Sequence, residues 1–259
     1  MKYTDVVVED ADEITVVKLN RPDSLNSLRT RTVIELDDAL AGFAGTSRSR
    51  AMIITGMGDK AFCAGGDIKE MEKMKPADAR SFARSAHRAL SKIEATGKPI
   101  IAAVNGLALG AGCDLALACD MCTASESARF GMPSLRVGVV TPFGGMSRLK
   151  ERVGLSRARY LIYTGDLVDA QGAIATGMAQ GIFPNEDLLR RTMEVARSIL
   201  DKAPIAFALS KKLLTDTSPA RRKADALEIA YYVDCFRTKD QREAAEAFRM
   251  KRKPVFTGC

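Results

Sequence analysis

Hydrophobic and polar positions fall into three patterns along the chain. Residues 3–9 and 14–19 are short β-branched runs joined by an acidic turn, which predicts an opening β-hairpin. Residues 30–43 place Val33, Leu36, Leu40 and Phe43 three or four apart, the spacing of one helical face. Residues 51–55 and 99–104 are unbroken apolar runs of strand length, predicting strands buried on both faces. Glycines and a helical pattern follow each of them. Ala64-Gly65-Gly66-Asp67 opens one helix, and residues 106–112 lead into another that runs through Cys119. A third strand and glycine-rich loop spans residues 121–145. Repeated strand, glycine turn and helix predict an α/β fold with ligand sites where helix N-termini meet strand ends. From Asp187 onward the pattern turns helical, over 187–200, 204–214 and 219–250, with Pro204 and Pro219 at helix starts.

Composition narrows this picture by exclusion. A chain of 259 residues with 46% hydrophobic and 27% charged residues describes a folded protein rather than a disordered one. Lys and Arg number 39 against 32 Asp and Glu, and the resulting +7 favours phosphorylated or otherwise anionic ligands. Only 6% of residues are aromatic and no stacking motif is evident, so nucleic acid is not an expected partner. The longest apolar stretch, 99–119, is broken by Asn105, by glycines and by Asp114, so no membrane span is expected. Cys63, Cys113, Cys119, Cys122, Cys235 and Cys259 sit among small apolar neighbours with no basic-then-apolar leader ahead of them, which predicts a reduced, cytoplasmic protein.

Several chemistries lose their usual supports. His87 is the one histidine, reads as a surface residue of a helical stretch over 81–92, and leaves no Ser-His-Asp or Cys-His machinery without it. Cys119 and Cys122 form a lone C-x-x-C with no second pair, so no metal site is expected. Neither a G-x-x-x-x-G-K-[ST] loop nor a G-x-G-x-x-G turn with an acidic partner occurs. The basic run 249–253 reads as solvated charge.

The two glycine turns carry the candidate chemistry. A backbone N–H in the first turn of a helix has no intrahelical acceptor and lies at the positive end of the helix dipole. If folding brings the turns at Gly66 and Ala111 together, two N–H groups can grip one carbonyl oxygen as it becomes an enolate or tetrahedral oxyanion. The same glycines also suit plain tight turns. Asp114, three residues after Ala111, falls near the same helix face and is a candidate proton donor or acceptor, or simply an acid favoured in a first helical turn.

At these residues the sequence resembles the enoyl-CoA hydratase/isomerase, or crotonase, family. The resemblance runs in order through Leu19-Asn20-Arg21-Pro22, Leu25-Asn26-Ser27-Leu28, Ala61 to Met71, Lys98-Pro99, Asn105-Gly106, Ala108 to Ala116, Phe130-Gly131, Gly144-Gly145, Thr164-Gly165 and Lys251 to Pro254. It implies an α/β crotonase (ClpP-like) superhelix of repeated ββα units. Residues 1–200 would form the core with the CoA and active site, and residues 201–259 a C-terminal helical region that packs protomers into trimers or hexamers. It implies a coenzyme A thioester as substrate and no further cofactor. Amides of Gly66 and Ala111 would form the oxyanion hole, and Ser27, Leu28, Ala64, Gly66, Asp67, Ile68, Lys69 and Ala111 would contact substrate or CoA. Asp67 reads as a helix cap rather than a chemical group, and Lys251 would reach the CoA of a neighbouring protomer.

The chain departs from the family's hydratases where they carry two catalytic glutamates: Asp114 stands at the first position and Ser134 at the second. Asp114 is one methylene shorter, and a serine near its normal pKa is a poor base. A hydratase-like lyase remains the favoured reading, with Asp114 and Ser134 as catalytic candidates. Isomerase, decarboxylase and hydrolase are alternatives on the same fold, and a catalytically silent acyl-CoA binder is a further one. The acyl pocket is expected within 71–84 and 137–146, together with the C-terminal helices.

Overall fold

The computed structural model describes residues 3–215 and 219–258. Cys259 lies outside the described residues. Strands β1 (Val6–Ala11) and β2 (Ile14–Leu19) form the expected hairpin, turning through Asp12 at a φ of 57°. Helix α1 (Thr30–Gly45) follows. Three passes of two strands and a helix come next. The first comprises β3 (Ala51–Gly56), β4 (Ala61–Cys63), a single turn α2 (Ile68–Met71) and α3 (Pro76–Ala95). The second is β5 (Ile100–Val104), β6 (Leu107–Leu109) and α4 (Ala111–Ala118), and the third is β7 (Met121–Ser125), β8 (Arg129–Gly131), a 3-10 turn (Pro133–Val137) and α5 (Gly145–Thr164). Strand β9 (Leu167–Asp169), α6 (Ala170–Ala175), β10 (Gly181–Phe183), α7 (Leu188–Leu200), α8 (Pro204–Leu214), α9 (Pro219–Cys235) and α10 (Lys239–Arg249) complete the order.

Each pass sends its first strand to one sheet and its second to another, which makes the strand-strand-helix unit the repeat of the fold. The sheets run β1-β2-β3-β5-β7-β10 and β4-β6-β8-β9, and pairing is parallel except for β1 with β2 and β8 with β9. Strands β3 and β5 are buried at every residue, as parallel strands covered on both faces must be. Helix α7 covers one face, setting Leu188 and Ala196 against Ile53 and Ile101. Helix α3 presents Ala79, Phe82, Ala83, Ala86, Leu90 and Ile93 to the main core at helical spacing. No helix among the described residues is long and apolar enough to cross a membrane.

The continuous helix expected over 219–250 is two helices. Phe236 turns into the core beside Tyr232, with ring centroids 5.0 Å apart, and Thr238 then caps α10 by accepting the Gln241 N–H at 3.2 Å. A threonine acceptor aimed at its own downstream N–H competes with helix continuation, and here the cap wins.

Candidate functional site

Strand β4 runs out into the first glycine turn. Leu28 N–H donates to Gly65 O at 2.7 Å and Asp67 N–H donates to Leu28 O at 2.9 Å, so Leu28 and Gly66 form a one-residue parallel bridge. Peptide groups alternate sides along an extended chain, so the Gly66 N–H itself faces away from Leu28. The second glycine turn lies close by. A Cβ added to Gly65 would stand 3.0 Å from Leu109 O and 3.8 Å from the Ala111 nitrogen. A Cβ on Gly112 would lie only 2.0 Å from Cys63 O, so glycine alone lets the first turn of α4 come this near β4. Ala111 is the first residue of α4, where the N–H has no acceptor one turn back. Two turns separate in sequence are thus neighbours in space. Asp67 does what a cap does: Oδ1 accepts from Lys69 N at 3.0 Å and Glu70 N at 3.3 Å, while Oδ2 accepts from Arg21 Nη2 at 2.7 Å.

A cavity of about 510 Å³ opens beside these turns. Ser27, Ala64, Gly66, Asp67, Ile68, Lys69, Ala111 and Ser134 line it, whereas Leu28, Asp114 and Lys251 do not. Leu28 is buried and supports the Gly66 turn through its backbone bridge. Lys251 is exposed beyond α10, its N–H donating to the carbonyl of Phe248, a residue on the cavity rim. The apolar walls come from Met71, Phe82, Val137, Val140, Phe143 and Tyr232, within the segments expected from sequence.

Asp114 sits behind this wall with no exposed surface. Burial, reinforced by the nearby Glu228 carboxyl, holds its pKa well above the ordinary carboxylate value, against the pull of Arg148 and of the Thr141 hydroxyl. Neither Asp114 oxygen has a partner in hydrogen-bond geometry, and an ionised carboxylate stranded in that way would be severely penalised. Burial without partners therefore favours the neutral carboxylic acid over the carboxylate. Ser134, on the 3-10 turn after β8, is buried on the cavity wall with an unpartnered hydroxyl, and Thr141 shares both properties.

Glu228 of α9 braces the element that carries the next wall. It accepts the backbone N–H of Gly144 at 2.9 Å and of Ser147 at 3.4 Å, closing the N-terminus of α5. Arg148, one turn into α5, makes a two-pronged ion pair with Glu94 at 2.8 and 2.9 Å. Burial first, and then the neighbouring Asp225, push Glu228 from 4.5 to about 7. The folded protein keeps a proton that the unfolded chain releases above pH 4.5, so stability declines as pH rises from 4.5 to about 7. Replacing Glu228 with Gln is expected to flatten that decline, which amounts to about 3 kcal/mol across the window. Thermal melts of both proteins at several pH values check this; parallel curves would refute it.

One expectation is modified. His87 is half-buried rather than on the open surface, with its Nε2 3.3 Å from Asp225 Oδ2 on α9. Cys119 and Cys122 are buried free thiols whose pKa values are raised by burial, that of Cys122 to about 12, which marks them as packing residues. Sequence reasoning missed Glu228, and it reached Thr141 only as part of the 137–146 segment expected to wall the pocket, with no chemical role. Thr141 belongs to no motif, and Glu228 meets Gly144 across 84 residues of chain.

Comparison with known proteins matches this geometry to a family. The sequence model of enoyl-CoA hydratase/isomerase covers residues 9–259. A short-chain-enoyl-CoA hydratase of Clostridium acetobutylicum is 37% identical over 254 residues, spanning 98% of this chain and 97% of the relative. A crotonyl-CoA hydratase of Syntrophomonas wolfei is also 37% identical, over 99% of both chains. The crystal structure of an enoyl-CoA hydratase from Mycobacterium avium subsp. paratuberculosis superposes with a TM-score of 0.89 at 27% identity, covering 99% of this chain and 100% of the other.

Proposed function

The chain is a crotonase-fold enzyme belonging to the enoyl-CoA hydratase/isomerase family, and from that premise we propose that it adds water to a 2-enoyl-CoA thioester, giving the 3-hydroxyacyl-CoA. The observation that carries this reading is the fully buried, unpartnered carboxyl of Asp114, one helical turn from the glycine pair, which its burial biases toward the protonated form. Addition to a conjugated thioester pushes electron density onto the carbonyl oxygen, where the N–H groups of Gly66 and Ala111 stabilise the enolate. That enolate needs a proton at its α-carbon, which a neutral acid supplies. Isomerisation instead begins with removal of a carbon-bound proton, for which an un-ionised Asp114 is unsuited.

Ser27, Ala64, Asp67, Ile68 and Lys69 receive the coenzyme at the mouth of the cavity, and the exposed Lys69 ammonium suits its phosphates. Leu28 acts only through the backbone of the Gly66 turn. The chemistry draws on no resident cofactor, since CoA arrives with the substrate. Ile205, Leu209 and Leu213 form an exposed apolar stripe along α8, which supports self-association into a trimer or hexamer in which Lys251 meets a neighbour's CoA. Free thiols at Cys63, Cys113, Cys119, Cys122 and Cys235 suit a reducing cytoplasm.

The test is incubation with a panel of saturated, 2-enoyl, 3-enoyl and malonyl-type CoA thioesters, read by mass spectrometry and chromatography. A gain of one water on the 2-enoyl thioester alone is the expected result. Asp114→Asn should lower that turnover by about 10²-fold or more while leaving CoA affinity intact. Release of free CoA, loss of carbon dioxide or an equal-mass isomer as the main product would replace hydration with another reaction, and unchanged turnover in Asp114→Asn would remove the aspartate from it.

A further inference from the structure

Four polar atoms around one end of the cavity lack a hydrogen-bond partner: both carboxyl oxygens of Asp114, Ser134 Oγ and Thr141 Oγ1. Stranded buried polar atoms are costly in a folded protein and accumulate where function requires them. Their arrangement here is directional. Thr141 and Ser134 line the cavity, but Asp114 does not. The Thr141 hydroxyl faces the cavity and is near enough to Asp114 to favour its charged form, whereas Asp114 itself has no surface on the cavity. The Asp114 carboxyl packs directly against Gly145, where an added Cβ would lie 1.5 Å from Oδ1, so a glycine there is what leaves the carboxyl its place.

Resting on the hydration reading above, we propose that Thr141 is a catalytic residue: Asp114 exchanges its proton with the acyl chain through the Thr141 hydroxyl, never directly. In the forward reaction the water oxygen bonds to the β-carbon, and the π electrons move to the thioester oxygen. As the enolate collapses, the Thr141 O–H breaks toward the α-carbon, a C–H bond forms, and Thr141 takes the Asp114 proton. The surplus proton of the added water returns through the same hydroxyl to Asp114. One water has been added, and both side chains end as they began. Ser134, the other unpartnered hydroxyl on this wall, is available to orient the water.

The experiment compares Thr141→Val, which keeps the shape and removes the hydroxyl, with Thr141→Ser, which keeps the hydroxyl, using crotonyl-CoA. Thr141→Val should lose about as much kcat as Asp114→Asn, about 10²-fold, with the affinity for unreactive butyryl-CoA unchanged. Thr141→Ser should recover most of the rate, and the Asp114→Asn/Thr141→Val double variant should be no slower than either single one. Wild-type turnover in Thr141→Val, or losses that multiply in the double variant, would overturn the relay. If the wild-type protein hydrates no thioester, the hydration reading fails by itself, and infrared spectroscopy then decides the Thr141 contact. The Asp114 carboxyl band, assigned by its disappearance in Asp114→Asn, should shift in Thr141→Val and not in Thr141→Ser; a band that stays put in both overturns the proposal.

Discussion

Gly145→Ala is expected to destabilise the protein by about 1–3 kcal/mol, the usual range for an overpacked core, and to lower turnover as far as removing the Asp114 carboxyl does. The new methyl carbon would stand 1.5 Å from Asp114 Oδ1, 2.1 Å from Cγ and 2.7 Å from Oδ2, all inside any tolerated contact. Either the carboxyl or the N-terminus of α5 must move. The N-terminus of α5 is fixed by Glu228 on Gly144 and Ser147, and by Arg148 gripping Glu94. The short Asp114 side chain is therefore the part that yields, and it is also the part to which the proposed reaction assigns the proton. A compensating variant separates packing from chemistry. Asp114→Ala combined with Gly145→Ala should restore much of the melting temperature, because the methyl then occupies space the carboxyl has left, yet turnover should stay low. A single Gly145→Ala variant that melts and turns over like the wild type would show that the carboxyl has free room, contrary to the packing described.

How much of this was legible beforehand depends on whether the signal is local. The hairpin, β3, β5, α1 and α7 follow from β-branched runs, unbroken apolar runs and helical spacing, and all of them are present. Strands β4, β6, β8 and β9 have three residues each, too short for any period to register. Helix α5 hides behind a glycine start and a break at Gly154, whose φ of 76° interrupts the helical path. The identities of Gly66, Ala111, Asp114 and Ser134 could be read from their motifs. Their relations could not. That Asp114 is buried off the cavity that Thr141 lines, and that Glu228 closes the helix holding Gly145, arise from packing between segments far apart in the chain, which no spacing rule encodes. His87 illustrates the same limit: its own helix reads as solvent-facing, and only the arrival of α9 brings Asp225 beside it.

Ala111→Pro should lower kcat/KM toward a 2-enoyl-CoA by about 10²–10³-fold, or roughly 3–4 kcal/mol of transition-state stabilisation, while leaving the fold intact. The substitution deletes one N–H and little else. Ala111 is the first residue of α4, a position where proline is well tolerated because the helix makes no bond through that nitrogen. The preceding residue is Gly110 at φ 49° and ψ −117°, a conformation that only glycine adopts easily and that keeps it out of the right-handed helical region proline disfavours in its predecessor. Asp114 N–H donates to Gly110 O at 2.9 Å, so the first helical bond bypasses the altered nitrogen and should survive. On the proposed reading free CoA docks at the Ser27, Asp67 and Lys69 end of the cavity and serves as the control: its affinity should be nearly unchanged, so that the loss is confined to the thioester oxygen. A kcat/KM within about threefold of wild type, in a variant that melts normally, would mean that the Ala111 N–H does not meet the reacting oxygen. The glycine turns would then be packing devices alone, and Asp114 would have to account for the reaction without an anion hole beside it.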